Sequence, residues 1–321
     1  MTDNRLAFIF PGQGSQQVGM GAELAKTSPI VEAVFQEADT FWRSLPKQDG
    51  HTLSQLCFEG PEETLKQTEN TQLAILTCSV ATLRALNEQD VVPNVVAGHS
   101  LGEYSALVAA GVLAFSDALR LVHARASLMA EAGETQQGTM AAILGMETEQ
   151  LQQLCDSTER TVNIANYNCP GQLVISGEVP AVNHVVELAK AEIGERRCRP
   201  LPVSGAFHSP LMAPAQQKFQ SVLDSVTLHP PQVDIVMNVT GELATDIDNI
   251  KHLLFQQITQ PVQWEKTLYT IEETGITHFV EVGPGKVLSG LVKRTLPESS
   301  TVNVEDVKTL SLVTDKYGNG G

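Results

Sequence analysis

Val91-Val92-Pro93-Asn94-Val95-Val96-Ala97-Gly98-His99-Ser100-Leu101-Gly102 is the stretch on which the reading of this chain turns. Residues 91–97 are apolar and β-branched and predict a buried strand, residues 98–102 a glycine-bounded turn, and residues 103–110 a helix. Strand, G-x-S-x-G turn and helix, in that order, form a nucleophile elbow. The glycines permit a sharp, strained bend that lifts the Ser100 hydroxyl clear of a sheet. The Leu101 N–H, at the helix start, then faces any oxyanion formed beside it, where the helix dipole favours negative charge.

Outward from the elbow, residues 6–10 predict a second buried strand that runs into Phe10-Pro11-Gly12-Gln13-Gly14-Ser15-Gln16, a glycine-rich turn, with a helix from 16 to 26. Helices are predicted at 71–86 and 117–132. The middle of the chain then reads strand 140–144, helix 148–155, strands 162–165 and 173–176, helix 179–193 and strand 199–203. That order, β-α-β-β-α-β, is ferredoxin-like, so 138–204 is expected as an inserted subdomain. Beyond it come helix 213–226, strand 235–238, helices 250–258 and 262–274, strand 277–282 and helix 287–296. Strand–helix alternation in the outer parts predicts an α/β class with a mostly parallel sheet covered on both faces. The expected organisation is one catalytic domain of residues 1–137 and 205–310, the insertion, and a flexible tail over 311–321.

Composition narrows the function classes. With 321 residues, 42% of them hydrophobic, the chain can bury a sizeable core. No stretch reaches the roughly 18 consecutive apolar residues of a membrane span, so no membrane partner is expected. Met1-Thr2-Asp3-Asn4-Arg5 leads straight into a strand with no leader pattern, so the expected location is cytoplasmic. Cys57, Cys78, Cys155, Cys169 and Cys198 are odd in number and scattered, which reads as reduced and structural. A net charge of −16 opposes nucleic acid as a partner. Any anionic partner has to meet a local basic patch. The candidates are Arg196, Arg197 and Arg199, and more loosely Lys286, Lys293 and Arg294, though a charge cluster is usually just a solvated face.

A serine nucleophile needs a base. Of eight histidines, His99 adjoins Ser100 but its side chain should point the other way. His208, in Val203-Ser204-Gly205-Ala206-Phe207-His208-Ser209-Pro210, occupies a loop between a strand and a helix, where catalytic groups are carried on a rigid scaffold. A surface histidine and a catalytic one both stand at this point. A nucleotide loop at Gly12–Gln17 fails on detail, because G-x-G-x-x-G needs glycine where Gln17 stands and no G-K-[ST] follows. The loop's N–H groups near Gln13 are instead placed to be a second oxyanion donor. Gly283-Pro284-Gly285-Lys286 reads as a plain turn. Arg125, on spacing alone, is a solvated helix arginine.

Taken together, Phe10 to Gln16, Gly98 to Tyr104, Arg125, Asn166 to Gln172, Phe207-His208, Pro261-Val262-Gln263-Trp264 and Glu281 to Leu288 resemble the malonyl-CoA:acyl-carrier-protein transacylases, relatives of polyketide synthase acyltransferase domains. The resemblance runs from about Leu6 to Leu296. It implies an α/β-hydrolase-like large domain with a ferredoxin-like insertion. It assigns Ser100 as nucleophile, His208 as base, the Gln257 carbonyl as the group that orients His208, and the Gln13 and Leu101 N–H groups as oxyanion hole. Arg125 would pair with the malonyl carboxylate, for which a guanidinium offers matched parallel donors. Met129 and Phe207 would wall the acyl pocket, and Gln72, Asn168 and Gln172 would lie near the thioester and pantetheine. Arg196 and Arg197 would contact the carrier protein.

The implied activity transfers malonyl from malonyl-CoA to a phosphopantetheinyl carrier protein, in a monomer with no metal and no tightly bound cofactor. Fatty-acid synthesis is the expected pathway, with a discrete polyketide acyltransferase as the alternative. Gly205-Ala206-Phe207-His208 is similar to malonyl-selective polyketide members, and Gln72-Leu73 stands where the family frequently has Gln-Pro. An acyl-thioester hydrolase shares the serine and the fold but not a reason for Arg125. A catalytically silent carrier-docking module has no use for Ser100 and His208.

Overall fold

The computed structural model describes residues 5–46, 50–203 and 205–318. The first four residues, Ser204 at the expected subdomain boundary and residues 319–321 of the expected tail lie outside the described residues. The strands among the described residues are β1 (Leu6–Phe10), β2 (Val95–Gly98), β3 (Gly138–Leu144), β4 (Val162–Cys169), β5 (Gln172–Glu178), β6 (Cys198–Pro200), β7 (Asp234–Met237), β8 (Glu242–Leu243), β9 (His278–Val282) and β10 (Ser300–Val304). The chain divides into two compact units, one of Met1–His123, Thr227–Val236 and Ile271–Gly321, the other of Ala124–Val226 and Met237–Thr270.

In the first unit the strands run β10-β9-β1-β2-β7, and every pairing is parallel. Parallel neighbours need crossovers, which helices supply. All residues of β1 and β2 are buried, the mark of strands covered on both faces. The helix Thr68–Glu88 is buried nearly all round. Two of its buried hydroxyls are satisfied within the helix: Thr77 Oγ1 donates to the Leu73 carbonyl at 2.8 Å and Thr82 Oγ1 to that of Cys78 at 2.9 Å. Glu281, on β9, is fully buried. Its carboxylate accepts from the N–H groups of Leu288 (3.0 Å) and Ser289 (2.7 Å) at the start of the helix Val287–Thr295. Burial pushes the Glu281 carboxyl up, and those amide bonds pull against it.

In the second unit β4-β5-β3-β6 form an antiparallel sheet. The helices Thr148–Asp156 and Val179–Ile193 bury Leu151, Cys155, Val182, Val185 and Ala189 against Ile143, Ile164, Leu173 and Ile175 of that sheet. The alternation of inward apolar residues along β3 and β5 carries this core. The chain is thus a mixed α/β protein with one mostly parallel and one antiparallel sheet.

Two expectations are corrected. Residues 311–317 are not a flexible tail, because they continue the helix Val307–Tyr317. Asp306 caps its start through a reciprocal bond pattern with Thr309, and Val313 is buried beneath it. The helix expected from residue 16 begins only at Ala22, because Gly19 (φ 100°) and Gly21 (φ 76°) hold left-handed turns before it. Among the described residues no helix is long and apolar enough to cross a membrane.

Candidate active site

The first unit holds the elbow. Ser100 has φ 51°, a left-handed conformation that a non-glycine residue adopts only when its surroundings impose it. What imposes it is close packing. A Cβ on Gly98 would lie 2.0 Å from the Gly102 carbonyl, and one on Gly102 would lie 2.1 Å from the Phe10 carbonyl oxygen. The Ser100 carbonyl accepts from Glu103 N–H at 3.1 Å, so Ser100 and Leu101 stand at the head of the helix Gly102–Ala109. The leading N–H groups of a helix have no partner inside it, which equips Leu101 to donate to a ligand.

Gly12, the neighbour of Gln13, lies against this turn. His99 N–H donates to Phe10 O at 3.0 Å, and a Cβ on Gly12 would come within 2.4 Å of the His99 carbonyl oxygen, so only glycine lets the loop approach. Gln13 Nε2 donates to Thr68 Oγ1 at 3.4 Å. Gln72, one turn along that helix, is buried. Gln13, Ser100 and Leu101 are therefore brought together at the C-terminal ends of β1 and β2.

The second unit gathers His208, Gln257 and Arg125. His208 is 3% exposed and also left-handed, with φ 57°. Its Nδ1 lies 2.8 Å from the Gln257 carbonyl oxygen. A carbonyl only accepts, so Nδ1 carries the proton and Nε2 keeps its lone pair. Gln257 ends the helix Ile247–Gln257, whose last carbonyls have no partner inside the helix. Gln216 holds the same helix end, donating from Nε2 to the Phe255 carbonyl at 2.9 Å.

Arg125, on the helix Phe115–Thr135, is 1% exposed, so it is not a solvated helix arginine. Its Nε and Nη2 donate to Gln257 Oε1 at 3.2 and 3.0 Å. A buried guanidinium is costly unless hydrogen-bonded. Met129, one turn on, and Phe207 are both buried.

Asn168 and Gln172 flank the turn from β4 to β5, where Cys169 Sγ lies 3.7 Å from Gln172 Oε1. Arg196 and Arg197 are exposed in the short turn Glu195–Arg197. Arg197 Nη1 lies 3.0 Å from where a Cβ on Gly145 would be, and Gly145 N–H donates to Gly171 O at 2.6 Å. Arg197 is thus beside the turn that carries Asn168 and Gln172. The Pro261–Trp264 segment is fastened to β4, with Tyr167 N–H donating to Val262 O and Val262 N–H to Ala165 O, both at 2.9 Å.

Sequence reasoning passed over Asn163. Its Nδ2 donates to the His208 carbonyl at 3.1 Å and to that of Ile164 at 3.0 Å, steadying the strained histidine. The one signal was a polar side chain within an otherwise strand-like run. The five cysteines are buried thiols that form no disulfide. Burial pushes the Cys155 thiol up to about 12 and, with Cys78 beside it, the Cys57 thiol well above its usual value. Neither is a thiolate nucleophile at neutral pH.

The acyl transferase domain family matches residues 7–316. The malonyl CoA-acyl carrier protein transacylase of Bacillus subtilis (strain 168) is 45% identical over 312 residues, 96% of each chain. That of Salmonella typhimurium is 43% identical over 310 residues, covering 96% of this chain and 98% of its own. Among solved structures, the transacylase of Xanthomonas oryzae pv. oryzae has a TM-score of 0.92 at 38% identity, over 99% of this chain and 100% of its own. A malonyl-transacylase solved in complex with a type II polyketide synthase acyl-carrier protein has a TM-score of 0.91 at 40% identity, over 97% and 99% of the two chains.

Proposed function

The chain belongs to the acyl transferase domain family, and from that premise we propose that it moves a malonyl group from malonyl-CoA to the phosphopantetheine thiol of an acyl carrier protein. Ser100 Oγ attacks the thioester carbonyl while His208 Nε2 takes its proton. The Gln13 and Leu101 N–H groups stabilise the oxyanion. The C–S bond breaks, coenzyme A leaves as the thiol with the proton from His208, and a malonyl ester remains on Ser100. The carrier thiol then gives its proton to His208 and attacks that ester, and Ser100 is restored.

The observation that carries the reading is the buried Arg125, tied to the same residue whose carbonyl holds His208. A buried guanidinium rejects a plain acyl chain and accepts one that ends in a carboxylate. Met129 and Phe207 wall that pocket. Gln72, Asn168 and Gln172 serve the thioester and pantetheine, and Arg196 and Arg197 receive the acidic carrier. The catalytic part is α/β-hydrolase-like, residues 1–137 and 205–310, with 138–204 as a ferredoxin-like insertion. The order β3, helix, β4, β5, helix, β6 supports that description. The protein acts as a cytoplasmic monomer without a tightly bound cofactor or metal. Fatty-acid synthesis is the pathway. A polyketide carrier is the second reading, favoured by the relative solved with such a carrier.

The test is intact-mass analysis after incubation with malonyl-CoA, followed by addition of carrier protein or of buffer alone. One malonyl group should appear, map to the peptide containing Ser100, and depart only when carrier protein is added. Ser100→Ala should lose activity by a factor on the order of 10⁶. Label on a cysteine, or loss of label to water alone, would overturn the reading in favour of another nucleophile or a hydrolase.

A further inference from the structure

We propose that the Gln257 side chain is a specificity-setting positioning residue that presets the Arg125 guanidinium for an acyl group ending in a carboxylate. The proposal rests on the reading of Arg125 given above. Gln257 is fully buried and faces two ways. Its main-chain oxygen holds His208 Nδ1 at 2.8 Å, while its side-chain oxygen receives Arg125 Nε at 3.2 Å and Nη2 at 3.0 Å. Two donors converging on one oxygen fix both the plane of the guanidinium and its direction within that plane. Arginine is otherwise a long side chain with many rotamers, and fixing it beforehand removes an ordering cost from substrate binding.

The chemistry of the acceptor matters as much as its place. An amide oxygen orients the cation without neutralising it, as a carboxylate would. A carboxylate in the same position would orient it equally well but form an internal ion pair that competes with the substrate carboxylate. Any residue at 257 supplies the main-chain oxygen that His208 uses, so the two duties separate under substitution.

Three variants decide it: Gln257→Glu, Gln257→Leu and Arg125→Ala. For each, kcat and KM for acylation of Ser100 are measured with malonyl-CoA and with acetyl-CoA, and kcat/KM is followed against pH. Gln257→Glu keeps the size and the acceptor, and should raise the malonyl-CoA KM about tenfold or more, the loss of one charged hydrogen bond. The malonyl-to-acetyl ratio of kcat/KM should fall with it, in Gln257→Leu as well. The limb of the pH profile set by His208 should stay in place.

If Arg125→Ala lowers the ratio and neither Gln257 variant does, the proposal is overturned and the reading of Arg125 survives. If Arg125→Ala leaves the ratio unchanged, the reading falls and the proposal with it. A Gln257→Glu variant whose ratio holds while its pH profile shifts would mean that the side chain acts on His208, which also overturns the proposal. If Gln257→Leu fails to fold, Gln257→Glu alone decides.

Discussion

Gly102→Ala should cripple catalysis while leaving every functional side chain present. The added Cβ would lie 2.1 Å from the Phe10 carbonyl oxygen, 2.8 Å from its carbon and 2.9 Å from the Pro11 oxygen, where real Cβ atoms do not come within 3.0 Å. The atoms in the way are main chain, held in β1 and the loop after it, and cannot swing aside as a side chain would. The elbow and the β1 loop must part by about 0.9 Å to bring the shortest of these contacts to that limit. That displacement acts on the Ser100 hydroxyl and on the spacing of the Gln13 and Leu101 donors together. A misplacement of about 1 Å costs roughly 100-fold in rate, and forcing a methyl into filled space costs about 1–3 kcal/mol of stability. We expect a loss of about two orders of magnitude in kcat/KM for malonyl-CoA, read by rapid-quench mass spectrometry of the acylated protein, with a lowered urea midpoint. An acylation rate within about threefold of wild type would refute the claim that this contact sets the geometry of the nucleophile.

Gly290→Ala is the opposite case, since nothing lies within 4 Å of the added Cβ in the helix Val287–Thr295. It should stabilise by about 0.5–1 kcal/mol, and a lower urea midpoint would contradict that. Charge reversal of Arg196 and Arg197 to Glu should slow transfer to carrier protein at low salt far more than acylation by malonyl-CoA, and wild-type transfer should depend steeply on salt. A double variant that transfers at the wild-type rate in low salt would show the patch to be only a solvated face. Burial, with the Asp156 carboxylate adding to it, raises the native Cys155 thiol to about 12, whereas an unfolded cysteine titrates near ~8.5. The stability linked to the neutral thiol is full below about pH 8.5 and is lost as pH rises toward the native value. Cys155→Ala should therefore flatten part of the alkaline fall in urea midpoint, and superimposable wild-type and variant profiles would contradict the assignment.

Ser100 was legible because strand, glycine-bounded turn and helix are adjacent in sequence and each carries its own local signal. The helix Val179–Ile193 was read to the residue for the same reason, with Pro180 at its first turn and Gly194 at its end. Arg125 was not, because its burial depends on Gln257, 132 residues away, which no periodicity encodes. The duty of the Gln257 carbonyl has no side-chain signature at all, and resemblance alone pointed to it. The helices Pro29–Ser44 and Leu53–Glu59 went unassigned, and Ser300–Val304, half polar, became a strand through its parallel pairing with β9. Glycines at the very end of the chain suggested a tail, whereas the Asp306 cap and buried Val313 settled a helix.

Glu281 has a consequence for what the Gly283–Lys286 turn can bind. The first amides of a helix ordinarily welcome a phosphate. Here two of them, Leu288 and Ser289, already hold the carboxylate of Glu281. That carboxylate is a tethered competitor, and a free phosphoryl group must displace it against an effective concentration in the millimolar range or above. As an anion site the helix start after this turn is in effect quenched by its own strand. Nearby anion recognition then falls to Lys286 as a point charge, a weak and salt-sensitive handle.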